Sequence, residues 1–143
     1  MQVKTQQDLV RFLKQLQQPV SKALNSNVAQ TIKTVMKDKV QDEVYDPYTP
    51  SVYQRTGRLG SEDSMESKLI NDDTLIVENV RSDGDRNVAE IVETGKGYTY
   101  DFQYSGIPRP FTEATREELR NTGAHVAALY AGLKQQNIKV DKK

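Results

Sequence analysis

The sequence predicts an α+β fold: long N-terminal and C-terminal helices packed on a small antiparallel sheet, with extended Tyr/Pro-rich loops. Three observations carry this. Apolar residues recur at helical spacing near both ends of the chain, and two apolar runs in the middle flank the turn-type cluster Asn71-Asp72-Asp73. Tyrosines and prolines crowd two further segments that fit neither pattern. Helices and strands that occupy separate stretches of chain, rather than alternating, point away from a parallel α/β sheet.

The first helix is read over Thr5 to Leu16, where Leu9, Val10, Phe12, Leu13 and Leu16 share helical spacing and Thr5 with Asp8 forms a cap. Pro19 should end or kink it, because proline lacks an N–H and disfavours helical angles in its predecessor. A second helix follows from Val20 to Val44, with Val28, Ile32, Val35, Met36, Val40 and Val44 on one apolar face. Residues 45–59 contain two prolines, a glycine and three tyrosines, and read as an ordered, extended loop.

Ser64 to Ile70 and Thr74 to Val80 read as a hairpin turning at Asn71-Asp72-Asp73. Val88 to Glu93 fits a short helix or a third strand, which six residues cannot separate. Gly95 and Gly97 break it, and Tyr98 to Tyr104 alternates aromatic and polar residues as a half-buried or interface strand or loop does. The last helix starts at Thr112, a good cap, with Glu113, Glu117 and Glu118 early and Leu119, Thr122, Val126, Leu129, Tyr130 and Leu133 along one face.

A length of 143 residues fits one domain over 1–143, with 1–19 as an accessory N-terminal helix and 137–143 as a disordered tail. Only 36% of the residues are hydrophobic, which predicts a thin core and exposed faces that partners could cover. The absence of cysteine removes disulfides and thiolate chemistry and suits a reducing compartment. The opening ten residues have no apolar signal-type run, and no uncharged stretch is long enough to span a membrane, so the chain is expected in the cytoplasm where it is made.

The net charge is zero, but it is unevenly spread: residues 61–93 carry ten Asp/Glu against three Lys/Arg, between mildly basic ends. That argues against a dedicated nucleic-acid binder. It suits copies that meet acidic side to basic side, or ordinary solvated faces.

Little catalytic chemistry is available. His125 is the one histidine and lies beside an apolar stripe without a partnering acid or serine, so neither a general base nor a zinc site is supported. Gly95-Lys96 fails the phosphate-loop pattern, and Asp83-Gly84-Asp85 is too short for a calcium loop. Asp72 and Asp73 fit a turn. No enzyme activity, metal or cofactor is expected.

Six of the seven tyrosines fall in the two non-helical segments: Tyr45, Tyr48 and Tyr53 in one, Tyr98, Tyr100 and Tyr104 in the other. Arg55, Arg58 and Arg109 adjoin them. Tyrosine and arginine are enriched at interface anchors, so these segments either finish a small core or meet another chain. Stacking on single-stranded nucleic acid also uses aromatics, but the neighbouring acidic segment opposes it.

Val52 to Leu59 (Val-Tyr-Gln-Arg-Thr-Gly-Arg-Leu) follows the long helix, and Pro108 to Glu113 (Pro-Arg-Pro-Phe-Thr-Glu) opens the last one. Together, in this order, they resemble the tail-completion proteins of long-tailed bacteriophages, which act in the neck to join head to tail. The resemblance covers residues 20–135. It implies an α+β structural virion protein that forms a ring, commonly a hexamer, at the head-proximal end of the tail. Its partners would be further copies of itself, a head-completion or connector protein, and a tail-tube or tail-terminator protein. It would be found in the host cytoplasm during assembly and afterwards in the virion. Carried over by position, Tyr53, Arg55, Thr56, Gly57 and Arg58 lie on the loop that organises these contacts, and Arg109, Pro110 and Phe111 set the entry to the final helix. Tyr98, Tyr100 and Tyr104 complete the expected interface. A different protein-binding adaptor or regulatory module is the other reading.

Overall fold

The computed structural model describes residues 5–50 and 55–139, so Tyr53 and the last residues of the expected C-terminal tail lie outside the described residues. The architecture is α+β. Its helices are α1 (Gln6–Ala23), α2 (Ala29–Val40), α3 (Val88–Thr94), α4 (Phe111–Thr122) and α5 (Ala124–Gln135). π-helical turns at Leu24–Val28 and Gln41–Tyr45 follow α1 and α2. Strands β1 (Met65–Asn71) and β2 (Thr74–Asn79) form one two-stranded sheet, and β3 (Ser82–Asp83) pairs antiparallel with β4 (Arg86–Asn87) in another. The described chain divides into two compact units, neither made from one continuous stretch of sequence.

The first unit takes Met1–Thr31, Ser67–Ile76 and Ala124–Lys143. Helix α1 starts with the expected reciprocal cap: Asp8 N–H donates to Thr5 Oγ1 at 3.1 Å, and Thr5 N–H donates to Asp8 Oδ2 at 3.2 Å. Of the end or kink expected at Pro19, the end does not occur: α1 continues to Ala23 and passes into the π-helical turn. Packing of α1 and that turn against α5 outweighs the single lost donor. The Pro19 carbonyl accepts from Gln136 Nε2 at 2.9 Å. Gly132 of α5 sits so close to the turn that an added Cβ would fall 2.7 Å from both Ala23 Cβ and Asn27 Oδ1. The tip of the β1–β2 hairpin is tied to α1, where Ser21 Oγ donates to the Asp72 carbonyl at 2.6 Å.

The second unit takes Ile32–Glu66 and Val77–Gly123. Its core joins Met36 and Val40 of α2 and Val44 of the π-helical turn after it to Leu59, Met65, Ala89, Val92 and Phe111. The alternatives at residues 88–93 resolve in favour of helix. Asn87 caps α3 by accepting from Glu90 N–H at 3.0 Å, and Gly95, at φ 76°, closes its far end.

Two sequence expectations need correction here. Thr112 is not the cap of α4: the helix begins at Phe111 behind Pro110, and the cap comes from Glu93 on α3. The last helix is also not continuous, because Gly123 adopts φ 67° and ends α4 before α5 begins.

Candidate interaction cleft

The cleft lies within the second unit and is built on three supports. The first is the loop after α2. Arg55 closes it, donating to the Tyr45 carbonyl at 3.2 Å and to the Tyr48 carbonyl, with its guanidinium 4.6 Å from the Tyr45 ring centroid. Tyr45 Oη accepts from Gly60 N–H at 3.0 Å, which fixes where Arg58 and Leu59 emerge. Thr56 and Gly57 are exposed between the two arginines, with Gly57 at φ 76°.

The second support is the aromatic segment before α4. It is a loop, and the tyrosines surround Phe102: its ring centroid is 4.6 Å from Tyr98, 5.2 Å from Tyr100, 5.5 Å from Tyr48 and 6.5 Å from Tyr104. Such tilted and edge-on pairs are the favoured aromatic geometries. Arg109 is only 6% exposed. It donates to Tyr98 Oη at 2.8 Å and more weakly to the Val44 carbonyl at 3.4 Å, and it stacks 4.6 Å from the Tyr104 centroid. Its Nε is buried and has no hydrogen-bond partner among the described residues. The loop is strapped to α3 by Gly106 N–H to the Gly95 carbonyl (2.7 Å) and Arg109 N–H to the Val92 carbonyl (3.1 Å).

The third support is the short β3–β4 ribbon, whose pairing sets Asp83 opposite Arg86. Arg86 reaches the Gly97 carbonyl at 3.4 Å. Together with Arg81 before β3, it completes the wall.

The result is a cleft of about 520 Å³ with an apolar floor of Val44, Leu59, Val88, Ile91 and Val92. Arg55, Arg58, Arg81, Arg86 and Arg109 line it, accompanied by Asp83, Tyr98 and Tyr100. The ion pairs formed among the described residues are Lys39 with Asp42 and Glu118, and Arg116 with Glu113; none engages an arginine of the cleft. Five guanidinium groups around one carboxylate make a strongly cationic, half-apolar receptor, suited to a partner that brings carboxylates or another anion together with apolar side chains.

Of the residues singled out in the sequence, Arg55, Thr56, Gly57, Arg58, Tyr98, Tyr100 and Arg109 converge on this cleft. Tyr104 stands behind Arg109 as its stacking surface. Pro110 precedes α4, and Phe111, 1% exposed, belongs to the core of its own unit. Sequence reasoning missed Arg81 and Arg86, because they fall in the segment that reads as acidic. Their placement on either side of the Ser-Asp-Gly-Asp turn was the available signal. His125 lies in α5, half-buried, with Nδ1 unpartnered. Among the described residues no cluster of three or more His, Asp or Glu side chains could hold a metal ion.

The YomN family matches residues 7–135 of the chain. The SPbeta prophage-derived uncharacterized protein YomN of Bacillus subtilis (strain 168) is 36% identical over 122 residues, covering 82% of this chain and 84% of that protein. No solved structure matches the chain. The match takes in both supports that carry the singled-out residues as well as the arginine ribbon between them, and the chain therefore belongs to the phage-derived YomN family.

Proposed function

We propose that this chain is a structural virion protein of the phage neck or tail, forming a ring at the head-proximal end of the tail that joins tail to head. The observation that carries the reading is the convergence of the two loops that resemble tail-completion proteins. They are remote in sequence yet line one cationic, tyrosine-edged cleft. Arginine and tyrosine on an apolar floor are the composition of a protein-recognition surface. The prophage origin of a family member supports the phage context.

In this reading the protein works by binding and not by catalysis, and needs no metal or cofactor. Its partners are further copies of itself, in a ring that is commonly hexameric, a head-completion or connector protein, and a tail-tube or tail-terminator protein. No membrane and no specific nucleic acid is involved. It acts in the host cytoplasm during assembly and stays in the neck of the finished virion.

The test is deletion of the gene from the phage genome that encodes it, followed by electron microscopy of the lysate. Separate heads and tails that join when the purified protein is added back are the expected result. Intact virions without the protein overturn the reading.

A further inference from the structure

We propose that the arginine cleft of one copy receives the tip of the β1–β2 hairpin of a second copy. The proposal rests on the reading of this chain as a self-assembling subunit and names the two surfaces that meet.

The cleft presents an unmet need. Among the described residues, five arginines gather around a single aspartate without an ion pair, and the Nε of Arg109 is buried without an acceptor. Like charges held together beside an apolar floor repel one another more strongly than in water, and an incoming anion removes that cost.

The hairpin offers the matching chemistry within the same chain. Its strands and turn carry Glu66, Asp72, Asp73 and Glu78 against the lone Lys68. Residues 66, 68 and 70 of β1 and 74, 76 and 78 of β2 point to the exposed face of the sheet. Ile70 on that face is 57% exposed and Ile76 43%, large apolar side chains left partly open to solvent. Isoleucines flanked by acids thus correspond to an apolar floor rimmed by arginines. The tip is also pre-organised, since Ser21 holds the Asp72 carbonyl at 2.6 Å, so little entropy is lost on docking. A net charge of zero, segregated into an arginine cleft and an acidic hairpin, is what head-to-tail self-association uses. Because the two surfaces differ, each docked copy leaves one of each free, and the contact propagates into a ring or filament.

The experiment measures mass by light scattering and sedimentation for the full chain, over a range of concentrations and in low and high salt. The wild type should assemble, and assembly should weaken as salt screens the contact. Asp72→Lys with Asp73→Lys, which leaves the Ser21 bond to main chain intact, should weaken self-association roughly a hundredfold without moving the thermal midpoint. Arg81→Glu with Arg86→Glu should weaken self-association to a similar degree, and the chain carrying all four changes should assemble again. A wild type that is monomeric at every concentration, or tip variants that assemble as the wild type does, overturns the proposal. So does a wild type that retains a labelled oligonucleotide in the arginine cleft and loses it with the arginine variant, since the occupant would then be phosphate. A wild type that stays monomeric yet joins heads to tails would overturn the docking while leaving the joining role standing. Intact virions without the protein would remove the joining role while leaving the docking standing.

Discussion

The Glu93 carboxylate at the end of α3 accepts the backbone N–H of Thr112 in the first turn of α4, at 2.9 Å to Oε1 and 3.3 Å to Oε2. The first N–H groups of a helix have no partner inside it, and Pro110 offers no side chain to satisfy them. A carboxylate placed there answers both the open donor and the positive end of the helix dipole. It also clamps the two ends of the aromatic loop, since α3 precedes the loop and α4 follows it.

Glu93→Ala should therefore cost about 1–2 kcal/mol of folding stability, and Glu93→Gln about half of that, because glutamine keeps an acceptor and loses the charge. Thr112→Ala should cost less than about 0.5 kcal/mol, since only its main chain takes part. Urea unfolding of the three variants checks this. A Thr112 variant weaker than the Glu93 variants would return the cap to Thr112.

Gly95 and Gly123 separate two kinds of glycine requirement. Both have positive φ, 76° and 67°. A Cβ on Gly95 would overlap the main chain of Ile107, lying 2.7 Å from its nitrogen, whereas a Cβ on Gly123 meets nothing within 4 Å. Gly123→Ala should then cost only the left-handed strain, about 1 kcal/mol. Gly95→Ala should cost about 3 kcal/mol, because the backbone that straps the loop must move as well. Equal losses in thermal unfolding would show that the loop yields freely at Ile107.

Arg109 is held by the Tyr98 hydroxyl and by the Tyr104 ring face. Tyr98→Phe removes one acceptor from a buried guanidinium and should cost about 1 kcal/mol. Arg109→Lys keeps the charge but loses the planar stack and the directed bond, and should cost about 2 kcal/mol. Denaturant midpoints give the order, and a lysine variant as stable as the wild type would reduce Arg109 to a point charge.

Features that depend on near neighbours in sequence were legible. The Thr5–Asp8 cap needs three residues, and the hairpin needs two apolar runs and a polar turn. Features decided by partners far along the chain were not. Pro19 reads as a helix end until α5 is laid against α1, and Glu93 cannot be read as the cap of a helix that starts 18 residues later. Summing charge over residues 61–93 hid Arg81 and Arg86, because both line the cleft at a ribbon of two-residue strands, whereas Asp83 is the one acid of that segment lining it. Phe102 went unmarked for a related reason: alternation shows that Tyr98, Tyr100 and Tyr104 belong together, but not which ring they surround.

Gly132 gives the remaining prediction. In an exposed helix, alanine would stabilise relative to glycine by about 1 kcal/mol. Here the added methyl would meet Ala23 Cβ and Asn27 Oδ1 at 2.7 Å each. Asn27 Oδ1 ends a rotatable side chain and can turn away, although that breaks its 3.2 Å bond to Gln135. Ala23 Cβ is fixed to the backbone, so α5 must shift away from the end of α1. Overpacking of this kind typically costs 1–3 kcal/mol, which outweighs the propensity gain. Gly132→Ala should lower the unfolding midpoint, and Gly132→Ala combined with Ala23→Gly should recover much of the loss. A single variant more stable than the wild type would mean that the two helices are free to separate at this point.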